Sequence, residues 1–372
     1  MSQPITAIHQ FHHGVDVGDG VTNSMLFIQR LLRERGFESE IFAARIPEPL
    51  EGRVRSHRHL EGCDPDATLL LQHHSLGHSL GDWLRGLGLP RALVYHNITP
   101  PGYFSEGSEL RHYAELGREQ LRDWRDDFRA VLAVSDYNAE DLQGEGYAPD
   151  AIRVIPLLVD LARLDGPVAS DVSLAKQLHP ELGHRPALSF VGRLVENKRQ
   201  HLLIEMLWHL QHMLPARAPR PMLVLAGGGK DSEYARFLKH RLHQLRLDDS
   251  VVMPGKVDDA TLAGLYRGSA AFVCASAHEG FGMPLVEAML ADCPVVAMGL
   301  TNIPHTLGEG GLVLDSEDPA VMAAAVALLL EDPALADTVR AGQQRTLARY
   351  QPDTLKEALR DWLVQACGAP PM

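Results

Sequence analysis

Short β-branched runs alternate with longer stretches of helical period along almost the whole 372-residue chain, and this alternation leaves few folds open. A run apolar on both faces, followed by a crossover helix, is the unit from which parallel sheets are built. In the first half, strands are expected at ITAIHQF (5–11), SEIFAAR (39–45), TLLLQHH (68–74), RALVYHN (91–97), AVLAVS (130–135) and IRVIPLL (152–158). Between them NSMLFIQRLLRERG (23–36) and RHYAELGREQLRDWRDDF (111–128) read as helices, the first with Asn23 or Ser24 as N-cap and Gly36 at its end.

The segment DLARLDGPVASDVSLAKQLHPELGHRP breaks the apolar rhythm with Gly, Pro, Asp and Ser and reads as a domain connection. A second series follows at PALSFVGR (186–193), PMLVLAGGG (221–229), DSVVMPG (249–255), AAFVCAS (270–276), CPVVAMG (293–299) and GLVLD (311–315). From about Asp318 the chain is helical by period, broken at EDP. The expected architecture is α/β, two Rossmann-like doubly wound domains facing across a cleft, with ligands at the carboxyl ends of the strands. Expected limits are 1–165, 166–345 and a helical segment, 346–372, packing back toward the first domain.

Composition narrows the function classes. With 45% hydrophobic and 22% charged residues the chain is an ordinary globular one, too long for a single core. A formal charge of −13 argues against a nucleic-acid partner, since affinity for a polyanion rests on clustered Lys and Arg. Four cysteines, at 63, 274, 293 and 367, form no CxxC pair and suggest neither a disulfide framework nor a thiolate metal site. MSQPITAIHQF lacks the pattern of a signal peptide, and no window holds the ~18 apolar residues a bilayer span needs. A cytoplasmic protein is expected, with any membrane contact peripheral.

The stretch HEGFGMPLVEAMLADCPVVA (278–297) carries Glu279 on the loop after a strand and Glu287 about one turn into a helix. Pro284 suits a helix start, while Gly280 and Gly282 let the backbone approach a ligand beside a positive dipole end. A carboxylate can accept from two hydroxyls at once, the grip a sugar diol needs. By themselves the pair read equally well as a solvated loop charge and a helix-terminal stabiliser.

This E-x7-E pattern resembles the signature of retaining, nucleotide-sugar-dependent glycosyltransferases of family four, which share the two-Rossmann GT-B fold. VGRLVENKRQHLLIEML (191–207) is similar to the V-G-R-L-x-x-x-K-G segment opening that family's C-terminal domain, with Arg199 and Gln200 replacing the usual small residue. AGGGKDSEYARFLK (226–239) and GKVDDATLAGLYRGSAAFVCAS (255–276) match its Gly-rich turn and its G-x-V-x-x-x-x-L-x-x-L-Y segment. By itself Gly227–Gly229 reads equally as a plain tight turn.

The resemblance implies a C-terminal nucleotide-sugar domain and an N-terminal acceptor domain. In it Glu279 meets the donor sugar, Glu287 holds the ribose, and Arg193 and Lys198 face the donor diphosphate. Backbone at Gly280, Phe281, Gly282 and Met283 meets sugar and phosphates, and Val257 lies near the base. HGVDVGDGVTNSM (13–25) is not a GxGxxG site but looks like a divergent form of the family's first glycine-rich loop, making Gly18, Asp19 and Gly20 candidates there. His96, ending RALVYHN, takes the place of a histidine that hydrogen-bonds donor sugar or acceptor; packing against backbone is its structural alternative. His73 or His74 could line the same edge. His74 and His78 have i,i+4 spacing without HExxH or neighbouring carboxylates, so no zinc site is expected. Ser135 matches a family position or simply caps the next helix.

The implied reaction moves a sugar from a nucleoside diphosphate sugar, first choice GDP-mannose or a related GDP-sugar, to a saccharide or lipid-linked saccharide hydroxyl, with retention. No metal or other cofactor is implied, the nucleotide-sugar being a substrate. Alternatives are another GT-B enzyme, such as an epimerase or phosphorylase, or a nonenzymatic nucleotide-sugar-binding subunit. Arg30, Arg33 and Arg35, with Trp83 and Trp124, raise the idea of peripheral attachment at an inner membrane face, although amphipathic core helices explain them as well.

Overall fold

The structure is a computed structural model that describes residues 4–164, 182 and 184–368. Most of the expected domain connection, 165–181 and 183, lies outside the described residues. The chain divides into two compact units, Met1–Asp160 with Tyr350–Met372, and Leu161–Arg349.

The first unit is built on seven parallel strands: β1 (Ala7–Gly14), β2 (Ile41–Arg45), β3 (Arg55–Ser56), β4 (Thr68–His74), β5 (Arg91–Tyr95), β6 (Phe128–Ala133) and β7 (Ile152–Val154). Their order is β3-β2-β1-β4-β5-β6-β7. All seven residues of β4 are buried, as a strand covered on both faces requires. Leu93, Tyr95, Ile98, Ala114, Leu121, Val131 and Leu142 form one core beneath the helices of one face. Truncating such a leucine to alanine costs about 2–5 kcal/mol. The last helix, Pro352–Cys367, packs against β6 through a face that buries Leu355, Leu359, Trp362 and Leu363.

The second unit carries six parallel strands: β8 (Ala187–Val191), β9 (Met222–Ala226), β10 (Val251–Gly255), β11 (Ala271–Cys274), β12 (Val295–Met298) and β13 (Leu312–Leu314). Their order is β10-β9-β8-β11-β12-β13. Both sheets reverse direction of growth beside their first strand, the arrangement that opens a crevice at the strands' carboxyl ends.

Every expected strand is present, with moved ends. β1 runs on to Gly14, in register with Arg45 of β2, whereas β5 stops at Tyr95 because Asn97 takes a left-handed φ of 76°. IRVIPLL supplies only Ile152–Val154 as strand, and its Pro156 has no N–H for a ladder. The first helix spans Gly20–Glu34, not 23–36: Asp19, rather than Asn23 or Ser24, is its N-cap, accepting from Thr22 N at 3.0 Å. Asp19 wins because its carboxylate reaches the free N–H of Thr22, three residues on.

That helix buries Met25, Phe27, Ile28, Leu31 and Leu32, while Arg30 pairs with Asp160 and Arg33 with Glu40. Trp124 is buried, and half-buried Trp83 packs on the Leu70–Leu84 core and donates to Glu61. These are core-packing helices with solvated outer faces. Among the described residues no single helix is long and apolar enough to cross a membrane.

Candidate functional site

The loops that leave β8 and β9 are pressed together, and glycine is the condition. A Cβ at Gly227, whose φ is +145°, would lie 2.0 Å from the Gly192 carbonyl oxygen. Gly192 N donates to Ala226 O and Leu194 N to Gly228 O, at 2.9 and 2.8 Å. Gly227 to Gly229 are therefore more than a plain turn: they seat the Arg193 loop. Gln200 Nε2 donates to the Arg193 carbonyl at 2.7 Å and leaves the exposed Arg193 side chain to solvent.

Lys198 ends a short 3-10 turn, Glu196–Lys198, whose next residue, Arg199, has φ 50°. A left-handed residue there explains the small one usual in the resembling family, and an L side chain bears a penalty of about 1–2 kcal/mol. Arg199 also pairs with Glu317. Ala277 N donates to Asn197 O at 2.8 Å, tying this turn to the loop after β11. The tie brings Lys198 Nζ to 2.7 Å from Glu279 Oε1, with the two side chains 20% and 15% exposed.

Glu279 to Met283 is held from behind by residues that the sequence reading did not single out. Thr301 Oγ1 accepts from Glu279 N at 3.0 Å. Thr306 Oγ1 and Asn302 Nδ2 donate to the Phe281 carbonyl, at 2.5 and 3.3 Å. Gly282, at φ +84°, turns the chain into the helix Met283–Leu290, which has no side-chain cap. Pro284 is thus its second residue rather than its first and has no N–H; Leu285 N donates to Gly282 O at 2.9 Å, which leaves Met283 N as the helix-start N–H without an intrahelical acceptor.

Glu287 is 1% exposed, so it is neither a solvated charge nor a simple helix-end stabiliser. Oε1 takes a hydrogen bond from Arg163 Nη2, and Oε2 takes one from Tyr266 at 2.8 Å. Burial pushes the Glu287 carboxyl up, with Arg163 and the Tyr266 bond pulling the other way. Arg163 also pairs with Asp259 and lies in the turn Leu161–Leu164, which Arg267 holds by donating to Leu164 O at 2.7 Å. The two glutamates of the E-x7-E pattern therefore have separate partners. Tyr266 was visible as the tyrosine of the L-x-x-L-Y segment; Arg163 lay in a stretch read only as a connection. Val257 is half-buried against the core around Leu265 and Val224.

Asp19, Gly20 and His96 belong to the first unit. Asp19 is exposed and its carboxylate is spent on the helix cap, accepting from Thr22 N and Thr22 Oγ1. Gly20 is the first helical residue, and Gly18 has φ +76°. His96 is half-buried just past β5; its Nε2 lies 2.7 Å from His73 Nδ1. Burial, then His12 and His74, push His96 down to about 3, so its ring is neutral at pH 7. His74 is fully buried, bonded to Gly117 O. Ser135 caps the helix Asp136–Gly144, accepting from Asn138 N at 3.1 Å. Among the described residues no three of His, Cys, Asp and Glu come together as a metal-ligand set.

Residues 175–363 match the family described as Glycosyl transferases group 1, and residues 18–163 match Glycosyltransferase Family 4. A D-inositol 3-phosphate glycosyltransferase of Xylanimonas cellulosilytica is 29% identical over 257 residues, 68% of this chain and 60% of that protein. A GDP-mannose-dependent alpha-(1-6)-phosphatidylinositol monomannoside mannosyltransferase of Mycobacterium tuberculosis is 29% identical over 258 residues, 67% of this chain and 65% of that protein. The chain thus spans about three-fifths of the length of the curated relatives it matches. In structure it is similar to Anabaena HepE, solved in complex with UDP and glucose, with a TM-score of 0.77 and 18% identity over 96% of this chain and 99% of that one. That likeness establishes the fold.

Proposed function

Because the chain belongs to the glycosyl transferases group 1 family and has the GT-B fold, we propose that it transfers a sugar from a nucleoside diphosphate sugar to an acceptor hydroxyl with retention at the anomeric carbon. The observation that carries this reading is the 2.7 Å contact between Lys198 and Glu279 beside an uncapped helix start. It joins two separate motifs into one charged patch suited to a sugar diphosphate.

Loss of a glycosyl diphosphate develops negative charge on the leaving oxygens. Arg193, Lys198 and the N–H of Met283 at the helix start stabilise that charge without rearranging. The departing phosphate oxygen takes the acceptor's proton on the same face of the sugar, so no side chain serves as general base. Glu279 orients Lys198 and accepts from sugar hydroxyls. Glu287 receives the ribose hydroxyls, which means that they share or displace the bonds from Arg163 and Tyr266. The reaction as written uses no metal or other cofactor.

GDP-mannose, or a related GDP-sugar, is the proposed donor, supported by the name of the mycobacterial relative; the UDP bound in HepE makes UDP-sugars the comparison arm. The acceptor is a saccharide or lipid-linked saccharide, met in the cytoplasm or peripherally at the inner membrane face. The test is a thermal-shift panel of GDP, UDP and ADP followed by turnover of the corresponding sugars. A ligand at 100 times its Kd stabilises by about 2.7 kcal/mol. Stabilisation by GDP alone, with α-configured product from an α-linked donor, supports the whole reading. Absence of a shift with any nucleotide sinks it.

A further inference from the structure

We propose that Gln10 and His73 are positioning residues that lock His96 into one tautomer, so that it offers a bare Nδ1 to a sugar hydroxyl. This rests on the reading of His96 as a substrate-contacting residue, and it adds what that residue recognises and what fixes the choice. The lock begins at a backbone carbonyl, which can only accept.

Gln10, fully buried on β1, places Nε2 2.9 Å from Met25 O. Its amide must therefore present NH₂ to Met25, and its Oε1 is the atom 3.0 Å from His73 Nε2. An amide oxygen accepts, so His73 Nε2 carries the hydrogen. His73 is 1% exposed, and burial, with His96 and His12 nearby, pushes it well below the usual histidine range, so the ring is neutral. A neutral ring protonated at Nε2 is bare at Nδ1. That atom lies 2.7 Å from His96 Nε2, which must then be the donor. His96 is neutral too, so its own Nδ1 is left bare, and among the described residues nothing donates to it.

A bare imidazole nitrogen discriminates. It accepts from an O–H and has nothing to give an ionised phosphate or a carbonyl oxygen. Without the lock, either ring nitrogen of His96 could carry the hydrogen, and the same side chain would bind a phosphate oxygen as readily as a hydroxyl. A second histidine of this region is fixed by the same logic. His12 Nδ1 lies 2.5 Å from Gly14 O and must donate, leaving Nε2 to accept from Ser75 at 3.0 Å. With His12 thus satisfied and the bare Nδ1 of His74 buried, His96 Nδ1 is left to meet a ligand. Sugar hydroxyls of donor and acceptor share this chemistry, and rates at varied donor and varied acceptor separate them.

The experiment records ring ¹⁵N shifts of the histidine-labelled full chain at pH 7.5, for the wild type and Gln10→Leu. Initial rates with GDP-mannose and UDP-glucose as donor probes follow, for those two and His96→Ala. Expected are Nε2–H, bare-Nδ1 rings for both His73 and His96 in the wild type, and mixed tautomers in Gln10→Leu. The variant should also lose about tenfold in kcat/KM, the worth of one hydrogen bond, with unchanged GDP or UDP affinity. An Nδ1–H His96 in the wild type overturns the proposal, and because that spectrum needs no variant, an unstable Gln10→Leu leaves the test intact. Wild-type rates in Gln10→Leu beside a damaged His96→Ala overturn the positioning role alone. Wild-type rates in His96→Ala overturn the reading of His96 itself.

Discussion

The two units end their central strands in opposite chemistry. In the first, β1, β4 and β5 run out into His12, His73, His74 and His96, all held below the usual histidine range by burial. In the second, the loops after β8 and β11 carry Arg193, Lys198 and Glu279, and the following helix buries Glu287. An imidazole can shed its charge on burial, whereas a guanidinium cannot, so the second unit must pair what it buries. The first unit thus offers directional lone pairs and the second offers fixed charge. In the proposed reaction these match a hydroxyl to be oriented and a diphosphate to be stabilised.

The sharpest way to break the comparison is to take the buried partner from a charge of the second unit. Glu287→Ala removes the carboxylate between Arg163 and Tyr266 and leaves the guanidinium, whose Nε already lacks a partner, with Asp259 alone. Loss of one member of such a pair costs about 3–5 kcal/mol. Chemical denaturation should report that loss, with nucleotide affinity falling alongside. Glu287→Gln, which still accepts from Tyr266, should lose less. Equal stability of Glu287→Ala and wild type would mean that the pair is not formed in solution.

Next in size is catalysis by the cations of the second unit. Lys198→Ala and Arg193→Ala should each lower kcat by about 10²–10³, as loss of one oxyanion donor does, with little change in melting temperature. Because Lys198 and Glu279 touch, a Lys198→Ala/Glu279→Ala double variant should be much less impaired than the product of its two single effects. Additive losses would place the two residues in separate roles.

What the chain revealed in advance follows the same division. Parallel strands were legible because runs such as TLLLQHH are buried on both faces. The charged motifs were legible because their spacing is local. Arg163 was not, since it meets Glu287 from a distant segment without periodicity, and nothing in DLARLDG marks its arginine as the partner of a buried carboxylate. The His73–His96 contact crosses from β4 to β5 and depends on register. Thr301, Asn302 and Thr306 support the Phe281 loop from a turn whose composition reads as ordinary. The first helix was started too late because Asn23 and Ser24 are good caps by type, while Asp19 lies before a glycine that discounts helix by propensity.

Acid should test the first unit before the second. Burial, then His74, His13 and His12, push His78 down to about 2, and His74 lies at about 4. Their folded values lie below the unfolded value near 6.5, so the unfolded chain binds more protons between these limits. Stability is full above pH 6.5 and falls by about 1.4 kcal/mol per pH unit per histidine as the pH drops below it. Hydrogen exchange at pH 7.5 and 5.5 should show β1, β4 and β5 losing protection while β8 and β11 keep theirs. His78→Phe should flatten the slope. A uniform loss in both units would remove the distinction between neutral and paired burial.

The smallest expected effect separates Asp19 as a cap from Asp19 as a ligand. Its carboxylate accepts from Thr22 N and Thr22 Oγ1, so Asp19→Ala should destabilise by about 0.5–2 kcal/mol, and Asp19→Asn, which still caps, by much less. The same carboxylate already occupies the positive dipole end of the helix Gly20–Glu34, where a second anion would compete with it. If the cap is its whole role, Asp19→Asn leaves turnover unchanged or raises it slightly, while urea midpoints follow the order wild type, Asn, Ala. A fall in turnover for Asp19→Asn without a fall in stability would assign the charge itself to the reaction and would bring a fixed anion to strand ends otherwise lined by neutral histidines.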